Sequence, residues 1–491
     1  MTSKNKNNAP GLDLVSPFVE IIHELGTDLV KGIFELTKFL YKKWNKNYFE
    51  ISKIEEKHLY KSKQTKNPTA IGYSTNSKRE LPLSEIDFSK HSFIVGAAGF
   101  GKTNLISLLQ EHSLQSKKPI IFIDPKGDLE ALETFRTLCK QYERTCYIFS
   151  EHHKDSINLN PFREGSINQV TDRIISAFEW TEPFYKNVST DALTKTLKKI
   201  QEAQKPYSLS NIVEVLEESF NTKETLGLRV MLSQINESDF GKILAEVKNT
   251  KTLMNIRDEK ACLYIGLSTQ GYGETAYTLG KIFLGELLYA SYFKLINESN
   301  SHRSMQDSVA VFFDEFGALV TPRFIELQNK CRGAGIQLFM AVQSASDIDK
   351  IDPNLTLQIL ENASNLFILK QRMEYGATLF ANSIGTKLTK KYTKQTDNGD
   401  ANGMGTVREA NELLVHPDII KNLRVGQCVL LRHNPTKLDL INLRNRKIEI
   451  EQEQEVNKNN EKIKEEPKKE VTEKNNEEKK NVETKPKAFG G

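Results

Sequence analysis

The chain has 491 residues, 38% of them apolar, which allows two or three domains and a real buried core. Its 68 basic residues are nearly matched by 64 acidic ones, so a net charge of +4 does not by itself signal a nucleic-acid partner, and any basic surface is local. Cys139, Cys146, Cys262, Cys331 and Cys428 are scattered and form no C-x-x-C pair, which argues against a disulfide framework or a zinc site and fits a reducing cytosol.

Residues 1–10 are polar and carry no secretory signal, and no window offers the roughly 18 uninterrupted apolar residues of a spanning helix. Over residues 14–49 the pattern is amphipathic. Val15, Val19, Ile22, Leu25, Leu29, Ile33, Leu36 and Leu40 recur at helical spacing, with Glu20, Glu24, Asp28, Lys31, Glu35 and Lys38 on the other side. The segment ends in the basic, aromatic run Tyr41-Lys42-Lys43-Trp44-Asn45-Lys46, which suits an anionic membrane surface; packing against the chain's own core or a neighbouring subunit is the plainer reading. Residues 51–90 read as a connector, with a strand or two around Ala70–Tyr73 leading into a glycine-rich loop.

Phe93-Ile94-Val95 forms a short buried strand, and it runs into Gly96, Ala97, Ala98, Gly99, Phe100, Gly101, Lys102 and Thr103 ahead of an amphipathic helix. This is a phosphate cradle. Glycines let successive N–H groups converge on a polyphosphate at the positive helix end, Lys102 reaches the β- and γ-phosphates, and the Thr103 hydroxyl ligates Mg²⁺. A second apolar strand, residues 120–123, ends abruptly in Asp124-Pro125-Lys126-Gly127-Asp128, where polar residues face the ligand crevice of an open α/β sheet. A third strand covers residues 145–150. From about 166 to 252 only helical patterns appear, at 169–180, 190–204, 208–219, 225–235 and 240–248, which points to an inserted all-helical subdomain.

The sheet resumes at 260–267, followed by a helix over 279–295. The strand Val309-Ala310-Val311-Phe312-Phe313 then ends in Asp314 and Glu315. Adjacent acids at a strand end can divide the labour of phosphoryl chemistry. Asp314 holds a water of the Mg²⁺ shell, and Glu315 takes the proton from the water that attacks the γ-phosphate. After a helix over 324–335, the strand 336–342 ends at Gln343, whose amide either touches the attacking water and γ-phosphate or makes a plain crevice hydrogen bond. Arg332 has two readings, a structural ion-pair partner or a finger inserted into a neighbouring subunit's nucleotide. The core closes with a strand over 365–370, a helix over 374–384, a polar loop over 386–406 and a hairpin, 426–433 and 437–443, turned at Asn434-Pro435. In the loop, Lys387, Lys390, Lys391, Tyr392 and Lys394 either grip a nucleic-acid backbone or form a solvated loop. Beyond Glu449 the chain is nearly all Glu, Lys, Asn and Gln, and is expected to be a disordered tail.

Taken together, the 96–103 loop, the 124–128 turn, the helical insertion, the Asp314-Glu315 strand, Arg332 ahead of a strand ending in Gln343, and Arg408-Glu409 through Gln427 resemble the type IV secretion coupling proteins of bacterial conjugation. These are VirD4- and TraD-like ATPases within the wider HerA and FtsK class of translocases. The resemblance covers roughly residues 93–443. It implies an α/β fold with a RecA-like P-loop NTPase core and mainly parallel sheet, an inserted all-α subdomain and a disordered C-terminal tail. The expected division is 1–50 amphipathic, 51–90 connector, 91–165 and 256–448 nucleotide-binding core, 166–255 all-α and 449–491 tail. It further implies ATP and Mg²⁺ as cofactors, a homo-hexamer, and DNA, relaxase or relaxosome proteins and inner-membrane channel components as partners. Typical members carry two N-terminal membrane helices where this chain has a charged amphipathic segment, so a cytoplasmic protein docked at the inner face of the bacterial inner membrane is expected. Two alternatives are an intracellular HerA- or FtsK-like translocase and an ATP-gated adaptor that recruits substrates without moving DNA.

Overall fold

The structure, a computed structural model, describes residues 35–36, 67, 69–75, 78–84, 87, 89–297, 308–397, 400–433 and 436–445. Apart from Glu35 and Leu36, the amphipathic segment lies outside these residues, as do the Asn434-Pro435 turn and the tail from 449.

In chain order the elements are β1 (Ala70–Ser74), β2 (Arg79–Pro82), β3 (Ser92–Val95), α1 (Lys102–Gln115), β4 (Ile120–Asp124), α2 (Leu129–Gln141) and β5 (Cys146–Phe149). A helical stretch comes next: α3 (Ile167–Ile175), α4 (Pro183–Glu202), α5 (Leu209–Ser219), α6 (Leu226–Glu237), α7 (Asp239–Ile243) and α8 (Leu253–Asp258). The sheet then resumes with β6 (Cys262–Gly266), α9 (Thr269–Tyr272), α10 (Glu274–Asn297), β7 (Val309–Phe313), α11 (Phe324–Cys331), β8 (Ile336–Val342), α12 (Ser346–Asp349), α13 (Leu355–Asn362) and β9 (Asn365–Ile368). The last elements are α14 (Glu374–Ile384), β10 (Thr386–Asp397), β11 (Asp400–Leu413), α15 (Pro417–Lys421), β12 (Gln427–Arg432) and β13 (Lys437–Leu443).

One 11-stranded sheet runs in the order β2-β1-β13-β12-β9-β3-β8-β7-β4-β6-β5. From β9 to β5 every pairing is parallel, and the edge from β12 outward is antiparallel. The expected α/β fold with a mainly parallel sheet is therefore the observed one. Parallel strands are covered on both faces, so they read as unbroken apolar runs whose alternate side chains enter different layers. Phe93, Val95, Ile123, Val311 and Phe313 join a layer with Ile174, Leu197, Phe283, Leu327 and Phe380 from α3, α4, α10, α11 and α14. Ile94, Phe122 and Phe312 face the other way, onto Leu105, Leu109 and Phe135 of α1 and α2. The order places β3 beside β8, β8 beside β7 and β7 beside β4, and so gathers their four carboxyl ends along one rim.

Several helices begin where side chains replace the missing intrahelical acceptors. Ser166 and Gln169 cap α3 reciprocally, as Thr252 and Asn255 do for α8. The helix expected over 240–248 ends at Ile243, because Lys251 N–H must reach Asn158 O at 3.0 Å and Lys251 O accepts from Asn160 N–H at 2.9 Å. The one expected over 169–180 ends at Ile175, whose carbonyl accepts from Trp180 Nε1 at 2.8 Å. The strand or two expected around 70–73 exist as β1 and β2, which form the antiparallel edge of the sheet.

The clearest correction concerns residues 386–406. Instead of a polar loop, β10 and β11 form a two-stranded antiparallel ribbon outside the main sheet, with Lys391 opposite Arg408 and Tyr392 opposite Val407. The β-branched Thr386, Thr389 and Thr393 favour extended backbone. Neither face is buried: Leu388 and Tyr392 are 66% and 71% exposed on one, and Lys391 and Arg408 are exposed on the other, so no apolar alternation marks the strands in the sequence.

Candidate nucleotide site

The loop between β3 and α1 is shaped by two left-handed glycines, Gly99 at φ 82° and Gly101 at φ 97°. Any side chain at Gly101 would be strained by that φ and would also press within 3.3 Å of Gly426 N. Gly96 and Ala97 N–H bond the carbonyls of Val342 and Lys370 at 3.1 and 3.0 Å, tying the loop to the ends of β8 and β9. The helix after this loop differs from α2, where Asp128 accepts from Glu130 N–H. α1 has no side-chain cap and no acid in its first turn. An uncapped helix start fed by a glycine loop leaves donors and a positive dipole end pointed at an anion, which is the condition a polyphosphate requires.

Lys102 opens α1 and is buried, with Nζ 3.9 Å from Asp314 Oδ1. Burial pulls its pKa down, opposed by the charges of Asp314 and Glu315. Burial likewise pushes Asp314 up, opposed by Lys102 and Lys126. Each ion thus carries a desolvation cost that its partner only partly relieves, and a cation bound at Asp314 would relieve more of the carboxylate's. Thr103 is exposed beside them. A hydroxyl and a carboxylate are the hard oxygen donors Mg²⁺ takes, so the residues fit that ion.

Glu315 sits in the left-handed region at φ 50°, a conformation that costs a non-glycine residue on the order of 1–3 kcal/mol. Its N–H donates to Asp314 Oδ1 at 3.0 Å, and its carbonyl accepts from Ala318 in a tight turn over Phe316–Ala318. The strained turn carries the carboxylate to two donors. Gln343 Nε2 donates to Glu315 Oε1 at 2.6 Å, and Lys126 Nζ lies 2.6 Å from the same oxygen. The structure therefore brings together the 96–103 loop, Asp314, Glu315 and Gln343.

It does not bring Arg332 to them. This exposed residue ends α11 and precedes β8, whereas Gln343 follows β8 at the opposite end. Seven extended residues at about 3.3 Å each separate the two ends. Among the described residues no carboxylate forms an ion pair with Arg332, so the structural ion-pair reading finds no partner there.

Sequence reasoning gave no chemical role to three features at this rim. Lys126, in the turn after β4, pairs with Glu315. Asp124 is buried and accepts from Tyr264 OH at 2.7 Å and from Lys126 and Asp128 N–H at 3.0 Å each; burial pushes its pKa up against those bonds. Lys370 Nζ and the Arg372 guanidinium lie 5.0 and 5.7 Å from the Phe100 ring at the tip of the loop. A lysine just past a strand's carboxyl end was the available signal for Lys126; nothing short of the β9 pairing reveals the other cations.

A glycine loop that feeds an uncapped helix from the middle of a parallel sheet, one strand removed from paired acids, defines a P-loop NTPase. Comparison with known proteins narrows the class. Residues 308–424 match the family described as the TraM recognition site of TraD and TraG, and residues 70–262 match the central domain of helicase HerA. The fold is that of the bacterial conjugative coupling protein TrwBdeltaN70 in its unbound monoclinic form, with a TM-score of 0.61 at 14% identity, covering 82% of this chain and 94% of that one. The plasmid coupling protein TrwB in complex with ADP and Mg²⁺ gives 0.59 at 13% identity over 82% and 95%. VirB4 of Thermoanaerobacter pseudethanolicus gives 0.50 at 13% over 78% and 98%. A curated relative, an uncharacterized protein of Mycoplasma pneumoniae, is 30% identical over 78 residues, which is 15% of this chain and 63% of that protein. The resemblance to conjugative coupling proteins, read first from the motifs, stands.

Proposed function

We propose that the chain is an ATP-hydrolysing motor that moves DNA, with a bound relaxase, toward a conjugative type IV secretion channel. The observation that carries the reading is the convergence of Lys102, Asp314, Glu315 and Gln343 at one strand-end rim of a coupling-protein fold. In this reading Gly96, Ala97, Ala98, Gly99, Phe100 and Gly101 wrap the phosphates and Lys102 contacts the terminal ones. Thr103 and Asp314 hold Mg²⁺, which supplies neutralising charge to the phosphates when bound. Glu315 accepts the proton of the attacking water and Gln343 orients the pair. Residues 91–165 and 256–448 serve as the motor core around an all-α subdomain at 166–255, flanked by the 1–50 segment, the 51–90 connector and the 449–491 tail.

The motor is proposed to act as a homo-hexamer at the inner face of the inner membrane, bound to relaxosome and channel proteins; the TraM-recognition match at 308–424 supports such partners. Among the described residues no helix is long and apolar enough to cross a membrane. Arg332 is proposed to reach a neighbouring subunit's nucleotide, supported by its exposure and its distance from the site in its own chain. A second reading, an intracellular HerA-like translocase, is favoured by the match over 70–262. ATPase activity of the purified chain with and without single- and double-stranded DNA tests the motor: DNA stimulation is expected, and a rate indifferent to DNA would favour an adaptor. Relaxase binding separates the secretion reading from the intracellular one.

A further inference from the structure

The turn Pro125-Lys126-Gly127-Asp128 is held rigidly by its neighbours. Asp124 accepts its Lys126 and Asp128 N–H groups, Leu267 N–H bonds Asp124 O at 3.0 Å, and Thr269 N–H bonds Pro125 O at 2.9 Å. A Cβ on Gly127 would stand 2.7 Å from Ser268 Oγ, so the turn sits flush against the segment that opens α9. With the backbone held, the Lys126 side chain starts one strand away from Glu315, because β4 and β7 pair directly with Ile123 opposite Phe313.

From there its ammonium meets Glu315 Oε1 at 2.6 Å, while Gln343 donates to the same oxygen from β8 on the other side. Two donors occupy both lone pairs of that oxygen. The two bonds are unequal. Both are charge-assisted because the accepting carboxylate is ionised, but Gln343 is a neutral amide and only the lysine adds an opposite full charge. Burial pulls the Lys126 pKa down, but the hydrogen bond and charge of Glu315 outweigh it and hold the ammonium above the ordinary lysine value. An oxygen held this way has no lone pair left to take a proton from water until one donor withdraws.

We propose that Lys126 is a positioning residue that restrains Glu315, keeping the catalytic carboxylate in an ion pair that must part before it can accept a proton from water. The inference rests on the assignment of Glu315 as the base, and it deepens that assignment by naming what holds the base back. It also explains why a lysine, rather than a second neutral amide, stands in the turn. Only a full charge adds Coulombic attraction for the carboxylate to what a hydrogen bond supplies.

The test is steady-state ATP turnover of Lys126→Met, Lys126→Arg and the double variant Lys126→Met/Glu315→Gln, each checked by thermal melting. Lys126 is 41% exposed at its side chain, so its loss opens no core cavity. Lys126→Met is expected to raise kcat about threefold or more while KM for ATP stays within about twofold. Lys126→Arg should keep the parental rate, since a guanidinium preserves the pair. The double variant should be inactive, showing that the gained rate runs through Glu315. A parental enzyme whose rate is lowered by Glu315→Gln, together with a folded Lys126→Met whose kcat is unchanged or lower, overturns the restraint alone. A rise in KM of about tenfold would make Lys126 a phosphate ligand and also overturn it. Parental activity indifferent to Glu315→Gln would instead overturn the base assignment on which the inference rests.

Discussion

At the carboxyl ends of β3, β8, β7 and β4 charged side chains crowd together and share partners beside strained or glycine backbone, whereas His91 and Gln337 at the amino ends are buried and each has its own partners. At the first rim Lys126 and Gln343 meet on a single Glu315 oxygen, next to a φ of 50°. At the other, His91 lies just before β3 with its Nε2 2.9 Å from Gln328 O and its Nδ1 3.2 Å from Leu338 N. Since Leu338 N–H must donate, Nδ1 accepts and Nε2 carries the proton, which fixes a neutral imidazole between α11 and β8. Gln337 continues the row, accepting from Lys118 Nζ at 3.3 Å and donating to Ser308 Oγ at 3.0 Å. The same strands thus end in one rim where two donors meet on one carboxylate oxygen and one where each group keeps separate partners. The proposed chemistry belongs to the first.

Arg332 offers the sharpest way to break that division, because it lies at the amino-end rim yet is proposed to act on a nucleotide. In a ring, Lys102→Ala destroys a subunit's own site and leaves its Arg332 available, while Arg332→Ala spoils only the neighbour's site. Both homogeneous rings should be inactive. In an equal, exchanged mixture, roughly a quarter of random interfaces pair an intact loop with an intact arginine. A trans-acting arginine is worth about 10³ to 10⁵ in rate, so even those interfaces should stand well above background. A silent mixture, with mixed rings confirmed by mass, would mean that Arg332 acts within its own subunit or serves structure, or that hydrolysis is so coordinated that isolated sites cannot fire.

Within the carboxyl-end rim the roles should separate by substitution. Lys102→Ala is expected to abolish ATP binding, measured by a fluorescent nucleotide. Glu315→Gln should retain binding and lose about 10² to 10⁴ in turnover, the range of a general base. If the glutamine variant turns over at the parental rate, Glu315 is not the base.

How much of this was legible differs between the two rims. The loop, the paired acids and Gln343 could be read because each follows an unbroken apolar strand, and a parallel sheet buried on both faces leaves that signature. What stayed hidden depends on which strands become neighbours. Lys126 and Glu315 are far apart in sequence, and only the β4–β7 pairing sets them side by side. His91 could not be picked out, since a lone histidine beside an apolar strand looks the same whether it is buried or solvated. The β10–β11 ribbon escaped for the opposite reason: with both faces exposed it has no burial to imprint a period, and its lysines and threonines read as loop.

The amino-end rim should reveal itself through acid. Burial lowers the His91 pKa to about 4 against an ordinary 6.5, a shift opposed by the Gln328 bond and aided by the Arg332 charge. The unfolded chain then binds a proton that the folded chain refuses, so the stability this site contributes is complete above about pH 6.5 and is lost as pH falls toward 4. The shift corresponds to on the order of 3 kcal/mol at the acid end. His91→Gln, which cannot titrate, should flatten the fall in melting temperature over that window while lowering stability at pH 7. An unchanged slope would mean that His91 is not the group that titrates.

The smallest effect is expected at the tip of the loop, where the comparison can be sharpened within the carboxyl-end rim itself. The Phe100 backbone is fixed, its N–H meeting Ala97 O at 3.3 Å and its carbonyl accepting from Gly426 N–H at 3.2 Å. Its ring collects Lys370 and Arg372 from the segment after β9, two cations that would otherwise sample solvent. Phe100→Leu keeps the apolar bulk and both backbone bonds but removes the negative ring face. An exposed cation–π contact is worth about 0.5–1 kcal/mol, so the loss of preorganised positive charge should raise KM for ATP by about two- to fivefold. Because neither cation touches Glu315, kcat should stay at the parental value and the melting temperature should move by no more than roughly a degree or two. The KM effect should also shrink as salt is raised, since screening already weakens what the cations offer an incoming phosphate. A fall in kcat at unchanged KM would place the ring in the chemistry, and an effect indifferent to salt would show that it acts by packing the loop rather than by gathering charge.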